Sequence, residues 1–156
     1  MEDDNLLLNK AKQIAAYGIT KGCGPFGAII AKDGIILAEA VNRVTLDSDP
    51  TAHAEVVAIR KASKILKSHN LEGYTLYCSC EPCPMCLGAI YWAGISRVVY
   101  AYDRNDAAEA GFSDKDIYNE INLEPENRKI TFKHIPNTGG EEVFKIWKEY
   151  DDKTPY

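Results

Sequence analysis

The chain's 156 residues are the length of one compact domain with enough core to stand without disulfide staples. Hydrophobic residues at 46% and charged residues at 26% exclude a disordered tail, a coiled coil and a collagen-like rod. Lys and Arg at 18 against Asp and Glu at 23 leave a net charge of −5, a poor match to a polyanion, so salt-driven nucleic-acid binding is disfavoured.

In chain order, Asn5 to Tyr17 carries Leu7, Ala11, Ile14 and Ala15 on one stripe and predicts a helix, with Asp3 or Asp4 as its cap. Gly22-Cys23-Gly24-Pro25 ends it. Ala28 to Ala31 and Ile35 to Asn42 read as strands joined by the hairpin turn Lys32-Asp33-Gly34. Thr45 to Thr51 is polar and reads as a loop. Ala54 to Lys67 predicts a helix with Val56, Ile59, Ala62 and Leu66 inward. Thr75 to Cys80 suits a buried strand, and Pro84 to Ala93 a helix stopped at Gly94. Arg97 to Tyr102 is a further strand, and Asp103 to Lys129 holds one or two short helices. Thr131 to Ile135 reads as a last strand and Glu141 to Tyr150 as a last helix. Strands alternating with helices predict a single three-layer α/β/α domain over residues 1–156.

No run of about 18 apolar residues marks a membrane span, and the acidic start Met1-Glu2-Asp3-Asp4 is unlike a secretory signal. A cytoplasmic location is expected. In that reducing setting, four of five cysteines clustered between Cys78 and Cys86 indicate metal ligation over disulfides.

The chemistry concentrates at His53-Ala54-Glu55 and Pro82-Cys83-Pro84-Met85-Cys86. Pro84 fits a first helical position, which makes Cys83 the cap and Cys86 a first-turn residue with both sulfurs on one side. The positive end of that helix favours thiolate, the form a metal needs. One imidazole and two thiolates leave zinc a fourth, open position, as in catalytic sites. His53 and Glu55 would diverge on a regular helix, so both can serve one site only if His53 lies at or before the first turn. His-x-Glu followed by Pro-Cys-x-x-Cys is the known signature of zinc deaminases, in which the Glu is acid/base and not a ligand. A closed structural site of His53 with Cys80, Cys83 and Cys86 is the rival reading; Cys80 otherwise fills space at a strand end.

At these residues the chain resembles the cytidine-deaminase-like zinc hydrolases and, within them, the bacterial guanine deaminases. The likeness rests on Gly24-Pro25-Phe26-Gly27-Ala28, on the run from Asp49 to Glu55, on the run from Ser79 to Ala93, and on Asp106-Ala107-Ala108-Glu109-Ala110-Gly111-Phe112. The first three are partly shared with tRNA adenosine and cytosine deaminases; the fourth, followed by Ser113-Asp114 and a chain ending in Tyr156, discriminates. The resemblance implies a five-stranded mixed sheet and a homodimer whose C-terminal segments, here residues 137–156, are exchanged. It implies one zinc per chain on His53, Cys83 and Cys86, with Glu55 as proton shuttle for a zinc-bound water. It further implies a purine pocket of Phe26, Asn42, Ala54, Trp92, Asp114 and Tyr156, and deamination of guanine to xanthine.

On the residues alone, Phe26 and Trp92 serve equally as core, Asn42 as a strand cap, Asp114 as a helix cap, and the tail as a frayed end. A tRNA adenosine deaminase, a cytosine deaminase and a zinc-stabilised binding module without turnover remain the alternative functions.

Overall fold

The computed structural model describes residues 2–112, 114–136 and 139–155. It divides into two compact units, Met1–Lys115 and Asp116–Tyr156. Among the described residues, no helix is long and apolar enough to cross a membrane.

The first unit is built on a four-stranded mixed sheet. Its strands are β1 (Gly27–Lys32), β2 (Ile35–Val41), β3 (Thr75–Cys80) and β4 (Arg97–Tyr102), in the order β2-β1-β3-β4. The β1–β2 and β1–β3 pairs are antiparallel and β3–β4 is parallel. Side chains alternate across the sheet. On one face Ile29, Ala31 and Tyr77 pack with Leu7 and Ala11 of α1 (Glu2–Ile19). On the other, Ala28, Ile30, Leu76 and Cys78 pack with Ala54, Val57, Ala58 and Ala62 of α3 (Ala54–Leu66) and Ile90 of α4 (Pro84–Trp92). Helices on both faces make this unit a three-layer α/β/α body, with β3, α4 and β4 its parallel crossover.

Several expectations are corrected. The inward side of α3 runs through Val57 and Ala58, while Val56 is only half-buried. The loop after β2 contains a short helix, α2 (Val44–Asp47). Its first N–H, at Val44, is accepted by Asn42 Oδ1 at 3.2 Å, and Arg43 pairs with Asp47. Asp4 does not cap α1. It lies inside the helix, where its carboxylate accepts both Arg97 Nη atoms at 2.8 Å and the Tyr77 hydroxyl at 2.9 Å. That pairing holds the Asp4 carboxyl far below the usual carboxylate range. The side chain of Asp3 lies outside the described ones.

The fifth strand is also absent: residues 131–136 have no regular structure. A strand needs ladder partners and one buried face, and Thr131 to Ile135 has neither among the described residues. Phe132 and Ile135 are exposed, and Phe132 instead takes the Arg128 guanidinium over its ring, 5.0 Å from the centroid. The second unit otherwise holds α6 (Lys115–Ile121, starting at the unit boundary), a 3-10 turn (Pro125–Asn127) and α7 (Gly140–Glu149). On α7, Val143, Phe144, Ile146 and Trp147 are exposed.

Helix α1 crosses β1 at Gly27. A Cβ there would fall on the Ala11 carbonyl oxygen and 2.8 Å from the Ala15 nitrogen, both backbone atoms. Gly27→Ala is therefore expected to destabilise the protein by about 1–3 kcal/mol, read as a lower urea midpoint with unchanged slope.

Candidate metal centre and active site

Two helix starts meet beyond the C-terminal end of β3. His53 is the N-cap of α3 and Cys83 the N-cap of α4; both have extended backbones, with φ −63°, ψ 152° and φ −66°, ψ 169°. An extended cap turns its side chain off the helix end instead of along its flank. Pro84, which lacks the N–H that a first helical position leaves unused, sets the start of α4. Cys86 follows in the first turn, fully buried.

The outcome is a compact donor set. His53 Nδ1 lies 3.5 Å from Cys83 Sγ and 3.5 Å from Cys86 Sγ, and all three ligand atoms fall within 4.8 Å of one another. Tetrahedral zinc with ordinary Zn–N and Zn–S bonds would space an imidazole nitrogen and a thiolate about 3.6 Å apart. The set therefore fits zinc, and three protein donors leave one position for a small molecule. Cys80 is not in the set. Its thiol points at the Asp103 carbonyl oxygen, 3.5 Å away, and burial pushes it up to about 11, which disfavours the closed four-ligand site.

The electrostatics suit metal binding. A hydrogen bond from Cys86, supported by His53, brings the Cys83 thiol down to about 4, while Cys86 is raised as the partner that keeps the proton. Cys83 in turn raises His53. Glu55 sits one residue inside α3 and is 7% exposed. Its burial pushes the carboxyl up to about 6, against hydrogen bonds from its own backbone N–H and from Cys86. A protonatable carboxyl thus lies beside the donor set without belonging to it. Cys78 lies beneath, its thiol driven well up by burial and by the Glu55 charge.

The surrounding residues divide. Ala54 is fully buried between His53 and Glu55. Asn42 is 7% exposed; its N–H donates to the Phe26 carbonyl at 2.9 Å, so strand end and Phe26 are tied together. Asp114 lies near enough for its charge to raise His53. Trp92, at the far end of α4 from Cys86, is 70% exposed and is not enclosed with the others. Tyr156 lies outside the described residues.

Sequence reasoning gave Phe112 no role of its own. Its ring meets Phe26 edge to face, with centroids 4.9 Å apart and planes at 84°. No spacing signal joins residues so far apart in the chain. A cavity of about 550 Å³ beside this pair is lined by Lys12, Ala15, Cys80, Tyr102 and Phe112. It lies on the α1 side of the sheet, and none of His53, Glu55, Cys83 or Cys86 lines it.

Comparison with known proteins agrees with this geometry. Residues 1–102 match the family model for the cytidine and deoxycytidylate deaminase zinc-binding region. The chain is 51% identical over 150 residues to a guanine deaminase of Bacillus subtilis, covering 96% of both proteins. It is 33% identical over 147 residues to a tRNA-specific adenosine deaminase of Aquifex aeolicus, covering 94% of this chain and 92% of that one. The X-ray structure of guanine deaminase from Bacillus subtilis superposes with a TM-score of 0.95 at 50% identity, over 97% of this chain and 98% of that one. With a His/Cys/Cys donor set at two helix starts and a buried Glu beside it, the chain belongs to the cytidine and deoxycytidylate deaminase zinc-binding family.

Proposed function

We propose that this protein is a zinc-dependent guanine deaminase, hydrolysing guanine to xanthine and ammonia. The observation that carries the reading is the buried carboxyl of Glu55 beside the His53, Cys83 and Cys86 donors. Substrate choice draws its support from the likeness to guanine deaminase over nearly the whole chain.

Zinc held by His53, Cys83 and Cys86, one ion per chain, supplies a Lewis acid that makes water acidic near neutral pH. Glu55 accepts the proton of the attacking water as its oxygen adds at C2 of the purine, and hands that proton to ring nitrogen N3. It then moves the new hydroxyl's proton to the exocyclic amine. The C2–N bond breaks, ammonia leaves and the C2 carbonyl forms. A carboxyl raised by burial is suited to this work because it both takes and returns a proton near neutrality. Phe26 and Phe112 wall the base, Ala54 lies against it, and Asn42 and Asp114 read its polar edge. Reaction at C2 requires a different rotation of the purine from reaction at adenine C6, a task these groups share.

Trp92 and Tyr156 complete the pocket in a homodimer that exchanges residues 137–156. Support comes from the apolar residues exposed on α7 and from Tyr91 and Trp92 exposed on α4, surfaces a second copy of the chain would cover. Five free cysteines and a thiolate-based site suit the reducing cytoplasm.

Glu55→Gln is expected to keep zinc and fold while losing about 10²–10⁴ in turnover; substantial residual activity would remove Glu55 from its role. Ammonia release from guanine, adenine, cytosine, their nucleosides and a tRNA anticodon stem-loop tests the substrate. Release from free guanine is expected, whereas release only from the stem-loop would reassign the enzyme. Tyr156→Ala is expected to lower kcat/KM for guanine with zinc content unchanged, and an unaltered value would return the tail to a passive end.

A further inference from the structure

Just past the end of β3, in the segment that leads into Cys83, lies an ion pair that the chemistry above does not use: Glu81 with Arg104. Glu81 stands between the end of β3 and Pro82-Cys83. Its N–H donates to the Tyr102 carbonyl at 2.8 Å, carrying the β3–β4 pairing past the strand ends. Its carboxylate faces α5 (Arg104–Glu109) and receives three donors from one residue. Arg104 gives its backbone N–H and its Nε–H to Oε2, each at 3.1 Å, and its Nη2 to Oε1.

Helix α5 needs such an anchor. Six residues cannot hold a helix by their own hydrogen bonds. Locally, Asp103 and Asp106 form a capping box: Asp103 Oδ1 accepts from Asn105 and Asp106 N–H at 2.7 and 3.1 Å, and Asp106 Oδ2 accepts from Asp103 N–H at 2.8 Å. The cap shapes the helix start without fixing where it points. That direction comes from the two-pronged guanidinium grip on Glu81, a geometry that a single point charge does not reproduce. At the other end of α5 the chain turns at Gly111, with φ +91°. Phe112 bonds back to the Ala107 carbonyl at 2.9 Å and lays its ring against Phe26.

We propose that Arg104 is a positioning residue for substrate recognition: its grip on Glu81 locks α5 to the segment leading into Cys83, and so holds Phe112 edge to face on Phe26, fixing the aromatic wall against which a flat purine would lie. Glu81 is the fixed end of this clamp and Arg104 the moving one. The inference rests on the reading of the site as a guanine deaminase pocket. Its effect falls on binding of the base more than on proton transfer, because Glu55 and the donor set are carried by α3 and α4.

The test compares the zinc-loaded full chain with Arg104→Met, Arg104→Lys, Phe112→Ala and the Arg104→Met/Phe112→Ala double variant. Zinc content, thermal midpoint and steady-state kinetics with guanine are measured for each. Arg104→Met is expected to raise KM about tenfold with kcat within about twofold and full zinc content, and Arg104→Lys to recover part of that loss. Because Arg104 acts through Phe112, the double variant is expected to be no worse than the poorer single one, the sign of a shared pathway. An unchanged KM in Arg104→Met, or strictly additive losses in the double variant, would overturn the proposal. A lower thermal midpoint with unchanged KM in the two Arg104 variants would reduce the pair to a structural tie. Absence of guanine turnover in the unsubstituted protein would instead overturn the substrate reading beneath it.

Discussion

Everything distinctive in this chain follows from bringing two helix N-termini to one point. A metal that uses one imidazole and two thiolates needs its donors within about 4 Å of one another, and no single helix can present His, Cys, Cys and a free carboxyl there. Placing His53 and Cys83 as caps solves the geometry, since a cap residue leaves the helix axis and can face across to its neighbour. Once His53 is outside α3, Glu55 in the first turn is brought round to the same centre despite standing only two residues away.

The same arrangement accounts for the electrostatics. Thiolate at Cys83 is favoured both by its hydrogen-bond partners and by the positive end of the α4 dipole. Glu55 pays in desolvation for its place among Ala54, Cys78 and Cys86, and a carboxyl so raised is poised to exchange protons. The central strands beneath support this, with alternate residues of β1 and β3 committed to α1 on one side and to α3 and α4 on the other.

Around the centre, the residues proposed for recognition come from segments that share no local signal. Phe26 comes before β1, Asn42 after β2, and Phe112 after α5. Asn42 ties to Phe26 through the backbone, Phe112 reaches it by ring contact, and α5 is held to the metal-bearing segment by Arg104 and Glu81.

Much of this was legible in the linear chain because it depends on local rules. Pro84 after Cys83 marks a helix start whatever surrounds it, the Asp33-Gly34 turn closes its hairpin from within, and the two halves of the zinc signature carry their own spacing. The failures share a different cause. Thr131 to Ile135 has strand-forming residues but no ladder partner, and a strand cannot form without one. Asp4 suits a helix cap, yet Arg97 and Tyr77, distant in sequence, take its carboxylate. Val56 and Val57 are equivalent apolar neighbours, and only the position of the sheet selects Val57 for burial. The sequence by itself determined the His53, Cys83 and Cys86 donor set, because ligand type and spacing are local. The tertiary structure alone decided which distant side chains meet, as Phe26 and Phe112 or Glu81 and Arg104 do, because packing and charge pairing across the fold have no signature in any one segment.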